Sequence, residues 1–143
     1  MQVGAEIPAF TVDQVDAARM KTIAALMRDP NPIHWDAGEA RKRGLGDRSI
    51  NQGPANIAYI MNMLADFAGD RRAIRRLRLR CLGMVFAGDR VVARGKIEGL
   101  REDAGERLID CAVWLERDGE RILEGSAIVA IPAVGGSHAG AAS

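Results

Sequence analysis

The amino-acid sequence predicts an α+β fold in which one long buried helix is wrapped by an antiparallel sheet. Three observations predict it. The stretch from Pro54 to Gly69 is apolar on nearly every side, as a helix packed into a core must be. From Ile74 onward the spacing of apolar residues drops from near four to two, the period of half-buried strands. The alternating stretches are separated by Gly88-Asp89, Ala104-Gly105 and Asp118-Gly119, short turns of the kind that join antiparallel neighbours. With 143 residues, nearly half of them apolar, the chain is long enough for one real core and too short for two ordinary domains.

Taken in order, Pro8 to Val12 reads as a first or edge strand, with Phe10 and Val12 alternating. From Asp16 to Arg28, Met20, Ile23, Ala24 and Met27 form one apolar stripe of an amphipathic helix. A second, short helix is expected over 37–43. Asp36 and Glu39 have capping-box spacing before it, and Gly44 supplies its stop. The long helix follows, with Pro54 at a position where a first helical residue tolerates proline and Gly69 where a left-handed turn ends it. At 1.5 Å per residue it is roughly 22 Å long, about the width of a small sheet.

In the strand region, Leu77, Leu79 and Cys81 alternate with Arg76, Arg78 and Arg80. Val91, Ala93 and Ile97 alternate with charged residues, as do Ile109, Cys111, Val113 and Leu115. Leu123, Gly125, Ala127, Val129 and Ile131 share the face of a last strand. Both cysteines are expected to be small buried hydrophobes. The arginines between Arg71 and Arg80 read as a solvated outer face. Residues 133–143, made only of Gly, Ala, Ser, Val and His138, are expected to be a disordered tail.

Composition removes several classes of function. Lys and Arg number 20 against 19 Asp and Glu, a formal net charge of +1, so no global field favours nucleic acid or an anionic membrane. The Arg71 to Arg80 run lacks the interleaved aromatics that stack on bases. No apolar run is long enough to span a bilayer, no leader-like segment opens the sequence, and no Cys-x-x-Cys occurs. The expectation is a soluble cytoplasmic protein with reduced thiols. Metal catalysis is disfavoured because His34 and His138 are the only histidines. A serine triad is disfavoured because neither Ser49 nor Ser126 lies in a G-x-S-x-G setting.

The chemistry concentrates in Asp29-Pro30-Asn31-Pro32-Ile33-His34. Each proline fixes its own φ and pushes the residue before it out of the helical region, so the segment runs extended or kinked. Asp29 and His34 in such a loop suit a base and an acid sharing one water, with Asn31 offering an amide for orientation. The same residues also fit a turn in which Asp29 caps a helix and His34 is a surface residue. Gly53 opens the long helix, whose first amides are unpaired donors with a partial positive charge, and glycine permits close approach there. Pro54 has no amide proton, which leaves Gly53 N–H as the candidate donor; turn geometry alone is the alternative reason for the glycine.

Asp29, Asn31, Pro32 and His34 read as D-x-N-P-x-H, followed at the expected distance by Gly53 opening a long helix. This pairing resembles the MaoC-like dehydratases and (R)-specific enoyl-CoA hydratases of the hotdog superfamily, and the likeness in order of elements runs from the N-terminus to about Ile131. The resemblance implies a single hotdog domain over 1–132. It implies reversible addition of water to a trans-2-enoyl-CoA to give the (R)-3-hydroxyacyl-CoA, with Asp29 and His34 catalytic and Asn31 and Gly53 binding substrate. It implies no cofactor, an acyl-CoA thioester as the partner, and a homodimer or higher oligomer with sheets joined edge to edge. In that family a His often precedes the glycine; here Gln52 stands in its place, which bears on substrate shape at the helix start. Two other readings share the fold: a hotdog acyl-CoA thioesterase, and a non-catalytic acyl-thioester-binding subunit of a mixed dimer.

Overall fold

The computed structural model describes residues 1–133, so the expected tail, Ala133 apart, lies outside the described residues. The order is β1 (Glu6–Val12), α1 (Ala17–Met27), a 3-10 turn (Pro32–His34), α2 (Ala37–Lys42), α3 (Gly53–Ala68), a second 3-10 turn (Arg71–Ala73), then β2 (Ile74–Cys81), β3 (Val91–Asp103), β4 (Glu106–Arg117) and β5 (Glu120–Pro132). The strands form one antiparallel sheet in the order β1-β3-β4-β5-β2, and α3 lies along it as the expected long helix. None of the helices among the described residues is long and apolar enough to cross a membrane.

The turns are those the sequence marks. Ala104 and Gly105 have φ of 49° and 79°, and Asp118 and Gly119 have 51° and 78°, so both two-residue hairpin loops turn with the twist of their strands. Pro8 falls where the β1–β3 register slips between Ile7 and Phe10, a place where a strand tolerates a residue with no amide donor. On β5 the register slips at Leu115/Glu116, and Ile122 is the extra residue. Both Ile122 and Leu123 are therefore buried, while Gly125 on the expected buried face is exposed.

One side of α3 makes the core. Ile60, Met63 and Leu64 are buried against Ala93, Ile97, Ile109, Val113 and Val129 of the sheet. Gly95 allows this approach, since a Cβ there would stand 3.2 Å from the Met63 side chain and 3.0 Å from that of Ile7. The helix is not buried all round. Gly53, Pro54 and Asp66 are exposed, and Ile57, Ala58 and Met61 are half-buried, because the single sheet covers only one side of the cylinder.

Two further expectations need correction. Met27 is 46 % exposed, because α1 ends at Met27 and the chain turns away before anything covers that end of the stripe; Met20 and Ala24 are buried. Cys81 is exposed, since it is the last residue of edge strand β2, where the alternation runs past the core. Cys111, in the middle of β4, is buried, and burial pushes its thiol up to about 11, helped by the negative charges of Asp110 and Glu98. It packs as a neutral hydrophobe.

Replacing Ile60 or Leu64, both 0 % exposed, with Ala is expected to destabilise the protein by about 2 to 5 kcal/mol in chemical denaturation. Unfolding midpoints unchanged by both substitutions would show that α3 is not the core.

Candidate active site

The candidate site begins where α1 ends. Arg28 takes a left-handed conformation, φ 52° and ψ 38°, and its N–H closes the helix on Ala24 and Ala25 carbonyls. Asp29 follows, held by its own N–H to the Ala24 carbonyl at 3.0 Å. Its Oδ1 then accepts the Asn31 N–H at 3.0 Å, a side-chain turn that fixes the carboxylate against its own loop. Asn31 is extended, as a residue before proline should be, and its Oδ1 accepts from Ile33 N–H at 3.4 Å and from Arg43 at 3.2 Å. Pro32 opens a 3-10 turn rather than an extended run. That turn swings His34 back over Asp29.

The geometry of His34 decides what the pair can do. Nδ1 lies 2.6 Å from the Ile50 carbonyl oxygen, which can only accept, so Nδ1 carries a proton. Nε2 is then the nitrogen that faces Asp29, at 3.2 Å from Oδ2. An unprotonated Nε2 and an ionised Oδ2 would set two lone pairs against each other. Protonation of Nε2 removes that opposition and makes the contact an ion pair. His34 is buried and Asp29 only partly so, which leaves the carboxylate side open to a small molecule.

The structure brings Asp29, Asn31 and His34 together on one loop. Gly53 is joined to them through the chain: Ile50, whose carbonyl holds His34, also donates its N–H to Ile33, and three residues later Gly53 opens α3. No hydrogen bond among the described residues links Gly53 directly to the pair. Ala55 N–H and Asn56 N–H both reach the Gln52 carbonyl and Pro54 has no proton to give, so in the first turn of α3 Gly53 N–H is the amide without an acceptor among the described residues. Gly53 does not have a positive φ, and a Cβ on it would meet nothing within 4 Å. Turn geometry therefore does not require glycine here.

Gln52 is buried, and its amide nitrogen donates to the Met20 carbonyl at 3.0 Å, tying α3 to α1. Its Oε1 is buried without a partner among the described residues. Sequence reasoning missed the frame behind Ile50. Asp89, 8 % exposed, accepts from Arg48 at 2.8 Å and from the Phe86 N–H at 2.8 Å, with Arg117 3.5 Å away. Arg48 and Arg117 both stack on the Phe86 ring, at 5.1 and 5.5 Å from its centre. Phe86 pairs with Ile50 as a short antiparallel bridge, so this cluster sets the position of the carbonyl that holds His34. Its one signal in the sequence, Gly88-Asp89, reads only as a turn.

A helix laid on an antiparallel sheet, with an Asp–His pair on the loop ahead of that helix, defines a hotdog domain with a candidate acid-base site. A family model described as "MaoC like domain" matches residues 3–116, and the chain belongs to that family. Among solved structures, the (R)-hydratase from A. caviae involved in PHA biosynthesis superposes with a TM-score of 0.80 at 25 % identity, over 92 % of this chain and 98 % of that one. A chain of the ChsH1-ChsH2 complex from Mycobacterium tuberculosis gives 0.77 at 20 %, over 92 % and 98 %. A chain of the 3R-hydroxyacyl-ACP dehydratase complex HadBC from the same organism gives 0.70 at 18 %, over 90 % and 96 %. A search of curated protein sequences gives no match.

Asp89→Ala is expected to cost about 1 to 3 kcal/mol of stability, because it leaves the Phe86 N–H and two guanidinium groups without their common acceptor. A denaturation curve superimposable on that of the parent protein would show that the cluster holds nothing in place.

Proposed function

We propose that this chain is a cytoplasmic (R)-specific enoyl-CoA hydratase, adding water reversibly to a trans-2-enoyl-CoA to give the (R)-3-hydroxyacyl-CoA. The observation that carries the reading is the 3.2 Å approach of His34 Nε2 to Asp29 Oδ2, with Nδ1 already committed to Ile50. A carboxylate and an imidazole in contact, one able to take a proton and the other to give one, suit a reaction that removes a proton at one centre and delivers one at another. Family membership and the likeness to the A. caviae (R)-hydratase support the same assignment.

In the proposed reaction a water lies against both Asp29 and His34. One of the two takes a proton from it as its oxygen bonds to C3 of the enoyl group. The electron pair of the double bond moves toward C2 and the thioester oxygen, and the other partner gives its proton to C2. Since one proton is taken and one given, the pair ends with as many protons as it began with. The negative charge that develops on the thioester oxygen is met by Gly53 N–H at the positive end of α3. Asn31, whose oxygen is taken by Ile33 and Arg43, has its amide nitrogen left to contact the substrate. No step calls on a cofactor. A homodimer or higher oligomer belongs to the same proposal; β1 and β2 are the sheet edges free to pair.

The experiment that tests the reading compares hydration of crotonyl-CoA with cleavage of its thioester by the purified protein. Hydration supports the hydratase. Thioester cleavage alone would make it a thioesterase, and binding without turnover a non-catalytic subunit. Asp29→Asn and His34→Ala are each expected to lower hydration by about 100-fold or more with the fold retained. Either variant folded and close to full activity would remove the mechanism.

Gly53→Ala is expected to leave the melting temperature nearly unchanged, since the added methyl meets only open space in the chain. Crowding of the thioester should instead lower kcat and kcat/KM together, because the hydrogen bond strengthens as charge develops. Full activity per folded molecule would end the oxyanion role of Gly53.

A further inference from the structure

β2 is the outer strand on one side of the sheet, paired with β5 and with no ladder on its far side among the described residues. Leu77 and Leu79 turn toward the core, so Arg76, Arg78 and Arg80 project together from the face of the sheet away from α3. Arg80 is held by Glu124 at 2.5 Å, and Arg121 bonds to the same carboxylate at 3.2 Å. Arg76 and Arg78 make no ion pair or side-chain hydrogen bond among the described residues. Glu124 is therefore the one carboxylate that bonds to any of these four guanidiniums. Three of them, Arg78, Arg80 and Arg121, line a cavity of about 600 Å³ together with Trp114 and Ser126. Charge on an edge strand ordinarily keeps other strands away. That role alone does not account for this edge, which spans 8 residues, holds no proline and keeps its register from Arg76 to Cys81. It also leaves apolar surface open: Leu77 and Leu79 are half-buried, and Leu82 and Met84, just past the strand, are 47 % and 40 % exposed.

A second copy of the chain does not fit this edge. With two β2 strands antiparallel and both long helices on one side of the joined sheet, residues of like face oppose one another. The central registers then set Arg76 opposite Arg78 twice, or Arg78 opposite Arg78 with Arg76 opposite Arg80 on either side. Like charges directly opposite destabilise a strand pair, and Arg76 and Arg78 have no carboxylate of their own chain to mask them. A slip of one residue turns the copy over and sets arginines against Leu77 and Leu79. The copy's other edge is no better, since β1 carries a single carboxylate, Glu6. We propose that β2 pairs with an extended segment of a different protein, one in which carboxylates alternate with apolar side chains. The carboxylates lie against Arg76 and Arg78, and the apolar side chains continue the inner face of Leu77 and Leu79. Main-chain bonds to the open edge supply affinity, and the alternation supplies specificity. Any joint between copies is thereby left to β1. This pairing is independent of whether the chain hydrates enoyl thioesters.

The probe is the full chain carrying Arg76→Glu and Arg78→Glu, which keeps the alternation of β2 and reverses its charge. Hydrogen exchange of the β2 segment is measured in the wild-type chain alone and after an excess of the probe is added. Alone, the outward amides of wild-type β2 are expected to exchange freely at every protein concentration. With the probe present their exchange should slow by about tenfold or more, the combined worth of a few opposite-charge pairs. Raising the salt concentration should abolish most of that protection. Arg76→Gln with Arg78→Gln removes the repulsion, and this variant is expected to pair with itself, its β2 becoming protected as concentration rises. Protection of wild-type β2 by its own copies, no slowing on addition of the probe, slowing that salt leaves unchanged, or a Gln variant that never pairs would each overturn the proposal. If the charge-reversed chain does not fold, the Gln variant and the wild type alone decide.

Discussion

The hydrogen bond from His34 Nδ1 to the Ile50 carbonyl is the contact on which the site depends. A histidine on a loop has two nitrogens and several rotamers, and chemistry needs one of each. By accepting from Nδ1, the carbonyl fixes the tautomer and the ring plane at once, and only Nε2 is left to meet Asp29. The same residue returns its own N–H to the Ile33 carbonyl. The loop is thus laced on both sides to the segment that becomes α3. The Asp29–His34 pair and the helix start are held as one body by two backbone groups of a single isoleucine.

That body is anchored in turn by charge drawn below the surface. Asp89 is almost fully buried, a costly place for a carboxylate unless its partners compensate. Arg48, Arg117 and the Phe86 amide supply those partners, and the Phe86 ring lies beneath both guanidiniums. An apolar cluster could fill the same space and would pack about as firmly. What it could not do is fix direction, because hydrogen bonds constrain angles and apolar contacts do not. The segments 48–51 and 85–89 are held in register by such directed bonds, Ala87 to Ser49 and Asn51 to Val85.

How much of this was legible in the sequence divides by kind of atom. Side chains in a pattern were legible: D-x-N-P-x-H, the apolar run of α3, and the period-two strands all lie where expected. Backbone partners were not, since a carbonyl such as that of Ile50 leaves no mark on residue type. Periodicity also fails where strands slip. Arg75 is an extra residue on β2, and Glu98 on β3, as Ile122 is on β5, so the buried face is not a strict alternation. The capping box at α2 was half right. Asp36 accepts from Gly38 and Glu39, but its own N–H goes to the Pro32 carbonyl, so Glu39 is left to pair with Arg43 and Lys42. Arg43 then holds Asn31, and a residue read only as the end of a helix becomes a support of the loop.

The two sides of α3 show why its composition is mixed. Toward the sheet Ile60, Met63 and Leu64 close the core, and Asn56, one turn before Ile60, is buried beside them. Tyr59 is half-buried toward α1, and Asn51 bonds it to Asn56. A helix selected only for stability would have no reason to bury an amide there, since it exchanges hydration for a bond of small net worth. Glycine at its start is likewise no aid to stability, for Gly53 neither adopts a positive φ nor avoids a clash within the chain. Gly53 and Asn56, which a purely structural helix would not select, both lie in the first turn of α3. The C-terminal half, which ends in the left-handed Gly69, follows the ordinary rules of a packed helix. The first turn of α3, which carries Gly53 and Asn56, thus departs from the rules that the rest of the helix follows.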